Sequence, residues 1–322
     1  MLSNDIAYGK NRSLLSWYTI DRMFTSQSSN LTPGHIKNDL EQLSDHRVRQ
    51  VNYDEIFPNK ELTYGETGIL DVLNLTFYPA ERGPYNLDAS GIGEDGRLAH
   101  PEKRWGGIMR SMDVTNFENA NYEYIEFWLM DPAITNGESA DASTYGGGDL
   151  YFNLGEVSED ILKDGMKSFE NGLETDGSDL YTVETAWGRV SRRTSTVYAF
   201  DNQAGSRVNQ DVGLDGLKNE DEITHTNYNT YRDSVMQRVS NQVLAQWQAD
   251  PFSPINDPAG DDFHHYRGAD WDNVKASILQ RYKHYNGLER NSMDDNANRY
   301  STAATSLPDV EDINGDNTLN EY

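Results

Sequence analysis

Asn121-Tyr122-Glu123-Tyr124-Ile125-Glu126-Phe127-Trp128-Leu129-Met130 is the stretch on which the reading of the fold turns. Side chains alternate faces along an extended backbone. Glu123, Ile125, Phe127 and Leu129 therefore share one face, and Tyr122, Tyr124, Glu126 and Trp128 the other. Aromatic residues suit a pleated surface, so the run reads as the strongest strand in the chain. Working outward, Trp105 to Met112 reads as a strand before it. Asp149 to Gly155 reads as another after it, reached through a Gly/Ser-rich loop at 135–148. Further upstream, Leu14 to Ile20 and Ile69 to Tyr78 read as strands, the latter closed by Pro79, and Val48 to Phe57 is a mixed segment ending at Pro58. Strands at this spacing with turn-rich connections predict a mainly β fold. The expectation is an antiparallel jelly-roll-like (galactose-binding-like) β-sandwich with loop-rich flanks.

The C-terminal third changes period. Tyr231, Val235, Met236, Val239, Val243, Leu244 and Trp247 fall at helical spacing and stop before Pro251. Trp271, Val274, Ile278, Tyr282 and Tyr285 predict a second helix, ended by Asn286-Gly287. The organisation expected is a strand and loop segment over 1–60, the β-sandwich over 61–205, an acidic loop with two helices over 206–290, and a polar tail over 291–322 leading into a truncated next element.

Across 322 residues, 27 Lys and Arg stand against 53 Asp and Glu, a formal charge of −26. That balance excludes a direct phosphate-backbone binder, which must displace counterions with its own cations, so no nucleic-acid partner is expected. Hydrophobic residues make up 36% and mean hydropathy is −0.78, near the composition of disordered chains. The 19 Tyr, 10 Phe and 6 Trp argue for a folded, loop-rich protein instead, because burying such rings offsets ordering entropy. Cysteine is absent, which excludes disulfides, thiolate metal sites and a Cys nucleophile. No stretch approaches the length of a transmembrane helix, and the first residues lack the basic and apolar regions of a signal peptide.

Few motifs carry chemistry. Gly91-Ile92-Gly93-Glu94-Asp95-Gly96 matches the dinucleotide fingerprint by letter, but no buried parallel strand precedes it and no helix follows, so it reads as a surface loop. His264-His265 beside Asp261-Asp262 suggests a metal site at first sight. Neighbouring histidines diverge on most backbones, which favours a turn with aromatic contacts. Glu126 between Tyr124 and Trp128 is the best candidate for a carboxylate beside sugar-stacking rings; the plainer reading packs this face on a neighbour and pairs Glu126 with Arg104 or Arg110. Calcium is the sharper proposal. Residues 211–222 follow the register of an EF-hand loop, with Asp211 and Asp215 at positions 1 and 5, Gly216 at 6, a carbonyl from Leu217 at 7, Asn219 at 9 and Glu222 at 12. Gly213 at position 3 offers no side-chain oxygen. A second loop offers Asp312, Asn314 and Asp316 with a carbonyl from Thr318, and Asn317, which tolerates the left-handed conformation, replaces the usual glycine. The alternative for both is an acidic turn without metal.

A set of longer segments carries a resemblance. SWYTID at 16–21, YPAERGPYN at 78–86, RWGGIMR at 104–110, NFENANYEYIEFWLMDP at 116–132 and GDLYFNLGEVSEDILKDGMKSFENGL at 148–173 are five of them. QDVGLDGL at 210–217, DDFHHYRG at 261–268, RYKHYNG at 281–287 and PDVEDINGDNTLNE at 308–321 complete it. Together they resemble the SprA/Sov family of Bacteroidota, the outer-membrane translocon of type IX secretion linked to gliding motility. The resemblance implies a giant β-barrel that passes folded cargo across the outer membrane. It implies that this chain is an internal, soluble section on the periplasmic or extracellular face, attached to the outer membrane through other parts of the parent. Secreted cargo and other secretion-system subunits are the implied partners; no catalytic residue carries over, and no cofactor beyond calcium is suggested. Large acidic surfaces around a pore would discourage adhesion of acidic cargo. Two other readings stand beside it. One is a carbohydrate-binding sandwich module using Tyr124 and Trp128; the other, a glycoside hydrolase, uses Glu126.

Overall fold

The computed structural model describes residues 6–26, 28–112, 114, 116–131, 134–135, 138–139, 147–285 and 307–321. Among the described residues, eight strands pair two at a time, all antiparallel. β1 (Ser13–Tyr18) pairs with β4 (Asn74–Arg82), β2 (Val51–Asn52) with β3 (Ile69–Leu70), β5 (Ile134–Thr135) with β6 (Glu138–Ser139), and β7 (Thr182–Glu184) with β8 (Arg189–Ser191). The described residues therefore form no sandwich, and the expectation of a mainly β, jelly-roll-like fold is overturned: short helices and coil outweigh one longer strand pair and three small ones.

The strands that fail share a physical reason. Residues 122–131 run without regular secondary structure, and so do 106–112 and 150–154. Alternation reports which faces a strand would have, whereas a strand exists only when a neighbour accepts and donates its ladder hydrogen bonds. Among the described residues none of these runs belongs to a ladder, and the nearest pairing is a single bridge between Arg12 and Trp105. Their large side chains stay in water, Tyr124 at 80% exposure and Trp128 at 72%.

β1 and β4 do form, and their inward faces alternate as expected. Leu14, Ser16 and Tyr18 are buried, and the Tyr18 hydroxyl lies 3.0 Å from Thr76 Oγ1 across the pair. Pro79 does not end its strand. The register jumps between Ser13, opposite Arg82, and Leu14, opposite Tyr78, so Pro79 sits in a bulge where it owes no ladder hydrogen bond. Each predicted C-terminal helix is broken in two. Thr226–Met236 and Asn241–Ala249 are separated at Ser240, whose side chain caps the second by accepting from Val243 N. Ala269–Asn273 and Ile278–Tyr282 are separated by Lys275 in a left-handed conformation, and Ser277 with Gln280 forms a capping box on the latter. The predicted stop at 286–287 lies outside the described residues.

Three buried clusters form the core. Tyr85, Leu162, Trp187, Leu214, Leu217, Tyr228 and Ala259 make the central one. Tyr18, Phe24, Ile36, Val48, Ile278 and Tyr282 join the first fifty residues to the end of the helical region, with Tyr18 stacked on Tyr282 at 4.4 Å. Ile92, Leu98, Tyr231, Val235, Val239 and Ile255 make the third.

Between these clusters the coil is tied by charged side chains. Glu311, fully buried, accepts from Ile161 N at 2.7 Å and Leu162 N at 3.1 Å on one oxygen and from Ser168 N at 2.9 Å on the other. Glu159 accepts from Ile313, Asn314 and Asn320. Arginines serve carbonyls in the same way: Arg12 donates to Pro84 and Ile161, and the buried Arg281 to Ala276 and Tyr266. Glu311→Ala leaves three enclosed amides without an acceptor. It should lower stability by about 3 kcal/mol, read from denaturant melts.

An aromatic patch makes a second prediction. The His284 ring stacks on Phe252 at 4.1 Å, and burial pushes its pKa down to about 3. A histidine held neutral when folded gains its proton first in the unfolded chain, so this contribution is lost as pH falls from about 6.5 toward 3. Wild type should lose about 2 kcal/mol more than His284→Gln between pH 7.5 and pH 5. The difference between the two melting curves isolates that histidine.

Candidate functional site

Glu222 closes the short helix Asn219–Glu222, and its Oε2 accepts from Ala259 N at 2.8 Å. That bond places it against the loop 257–261, whose proline and glycine favour a tight turn. Asp257 Oδ1 accepts from Gly260 N at 2.6 Å within the loop, and Gly260 takes a left-handed φ of 77°. Arg82 packs against this turn, donating to the carbonyls of Asp257 at 2.6 Å and Pro258 at 2.5 Å. Asp261 Oδ2 accepts from the Tyr85 hydroxyl at 2.8 Å, and the same hydroxyl accepts from Leu214 N at 2.9 Å. The result is a buried group of three carboxylates, Glu222, Asp257 and Asp261, each offering an oxygen within 4.8 Å of the others.

Two more acids border it. Asp215, fully buried, accepts from the Tyr228 hydroxyl at 2.6 Å and from Leu217 N at 2.9 Å. Asp262 accepts from Asn219 Nδ2 at 2.7 Å. Burial and mutual repulsion push Glu222 and Asp261 well above the ordinary carboxylate range. Burial first, then Asp257, brings Asp262 up to about 8, and burial brings Asp215 to about 7. Asp257 is also raised by burial, opposed by the nearby Arg82.

The structure thus gathers part of the first predicted calcium loop and disperses the rest. Asp215 and Glu222 turn inward and Asn219 joins through Asp262. Asp211 instead faces Arg207, whose Nε donates to it at 3.1 Å, and Leu217 lends its side chain to the central core. Glu170, also buried, holds the loop backbone through Gly213 N at 2.8 Å and reaches Asp309 N. The sequence reading missed Asp257 and Asp261 as partners of Glu222. The available signal was the acidic run at 257–262, of which only Asp261 and Asp262 enter the sequence reading, beside His264 and His265. Those histidines do make aromatic contacts: His264 lies 4.9 Å from Trp271 and His265 stacks at 4.2 Å on Tyr266.

The second predicted loop closes on itself. Asp312 accepts from Gly315, Asp316 and Asn317, Asn314 from Asp316, and Asp316 from Thr318. Asn317 takes the left-handed φ of 64° expected of it. The proposed sugar-binding group stands apart from all of this. Tyr124, Glu126 and Trp128 lie in the exposed run at 122–131, so the packed face is not formed; Arg104 meets Asp88 instead, at 3.5 Å.

Residues 230–322 match the SprA_N family, described as a motility related/secretion protein. That match covers less than a third of the 322 residues. No curated protein matches the chain. The matched stretch contributes Asp257 and Asp261 to the acidic group, while Glu222 and Asp215 come from residues before it. Among the described residues, no helix is long and apolar enough to cross a membrane.

One position tests how closely the acidic group is built. A Cβ on Gly213, which has a φ of 82°, would stand 1.8 Å from Asp261 Oδ2. Gly213→Ala must therefore strain its backbone and expel Asp261. A loss of about 3 kcal/mol or more is expected in thermal or chemical denaturation.

Proposed function

We propose that this chain is a non-catalytic section of an outer-membrane protein translocon of the type IX kind, serving secretion and gliding motility. The match of residues 230–322 to a motility related/secretion family is the observation that carries the reading. On this reading the section lies in water on the periplasmic or extracellular face, shapes or gates the pore, and meets cargo or neighbouring subunits.

The exposed runs support a contact role. Ile108, Met109, Tyr124, Ile125, Phe127, Trp128, Leu150 and Phe152 are all exposed on backbone without ladder partners. Extended apolar segments with open backbone edges are what strand addition by another chain requires. The acidic surface suits the same place, since it repels acidic cargo instead of holding it.

Removing residues 104–157 from the chromosomal gene should abolish cargo secretion and gliding while the remaining protein is still found in the outer membrane by immunoblot. Normal secretion in that strain would refute the proposal. Trp128→Ala with Phe127→Ser is a milder version and should reduce secretion several-fold.

A further inference from the structure

We infer that Glu222, Asp257 and Asp261 form a calcium site assembled from two distant parts of the chain, in place of a single twelve-residue loop. Their oxygens lie within 4.8 Å of one another, and the three residues are 0%, 2% and 3% exposed. Two oxygens bound to one calcium at about 2.4 Å stand at most about 4.8 Å apart, so the spacing is one that a single ion can span.

A second observation comes from Glu222 itself. Its Oε2 is occupied by Ala259 N, but Oε1 is enclosed and has no hydrogen-bond partner. An enclosed carboxylate oxygen without a donor is costly, and a cation at that point supplies what the protein does not. The surrounding charge agrees. Asp215 and Asp262 add two acids to the three, against which Arg82 faces Asp257 and Arg189 faces Asp215. Three positive charges would be needed to balance the five acids if all are ionised, and a divalent ion supplies most of them.

The donor set selects the ion. Carboxylate oxygens without nitrogen or sulfur suit hard cations and not zinc. Magnesium keeps several waters and demands near-octahedral geometry at about 2.1 Å, whereas calcium accepts irregular, protein-enclosed oxygen sets. The enclosure of these three side chains therefore favours calcium. The inference stands independently of the secretion reading, since it concerns how the chain holds its charge.

The test uses the 322-residue chain stripped with EGTA and titrated with calcium chloride by isothermal calorimetry, alongside melting curves. Calcium should bind and raise the melting temperature, with magnesium at the same concentration giving a clearly smaller shift. Glu222→Gln and Asp261→Asn should each weaken calcium binding at least tenfold at this site, while Asp312→Asn leaves it intact. In EGTA, Glu222→Gln should melt no lower than wild type, because it removes one of the crowded charges. Absence of calcium binding, equal binding in Glu222→Gln and Asp261→Asn, or an equal shift with magnesium would each overturn the assignment.

Discussion

Backbone groups taken out of water must be paired, and where neither helix nor ladder pairs them a side chain has to. In this protein that duty falls on buried carboxylates for the amides and on arginines for the carbonyls. Glu311, Glu159 and Glu170 each collect amide hydrogens from segments far away in sequence, binding 307–321 to the region around 160–170. Arg12, Arg82 and Arg281 do the same for carbonyls. Hydrogen bonds to charged groups contribute about 1.5–3 kcal/mol each, more than neutral ones. A chain with few ladders can therefore be held by such clasps, provided each is complete.

This way of holding coil explains why so acidic a sequence still folds. Donors around a carboxylate favour its anion and offset part of the cost of burial, which still holds Glu311 well above the ordinary carboxylate range. Glu311 and Glu222 are equally enclosed, yet they differ in supply. Both oxygens of Glu311 meet amides, while one oxygen of Glu222 meets none. The acids around Glu222 thus concentrate charge beyond what local donors absorb, and the bordering tyrosines each donate a single hydroxyl, Tyr85 to Asp261 and Tyr228 to Asp215.

Local signals in the sequence were legible and lateral ones were not. Asn317 takes the left-handed turn and β1 buries Leu14, Ser16 and Tyr18 in alternation, whereas the caps at Ser240 and Ser277, equally local, went unread inside helices expected to be continuous. All of these follow from a residue and its immediate neighbours. The bulge at Pro79 needed knowledge of Ser13, and the fate of 121–130 needed knowledge of a partner strand that no periodicity contains. The site divides in the same way. Spacing nominated Asp215, Asn219 and Glu222, which lie within one loop. Asp257 and Asp261 join them through Ala259 N and the Tyr85 hydroxyl, contacts between residues far apart in sequence. Asp211 fitted the spacing as well as Asp215 did, but Arg207, one helical turn before it, drew it elsewhere.

The two parts of the molecule consequently obey opposite rules. Around the three core clusters side-chain clasps pair the backbone, and aromatic rings stack on one another, as Tyr18, Tyr266 and Tyr282 do. Along 106–112, 122–130 and 150–154, apolar side chains stand in water on backbone outside any ladder, and their ring contacts are few, such as Phe127 with Phe152 at 5.5 Å. Burial of one exposed aromatic side chain is worth about 2 kcal/mol, so covering several of them would exceed the gain from any single clasp. The energetic reserve of this chain therefore lies in its least structured runs. An alternating sequence such as 121–130 keeps that reserve in a form that a single added strand can release, because one neighbouring ladder would pair the backbone and cover a face together.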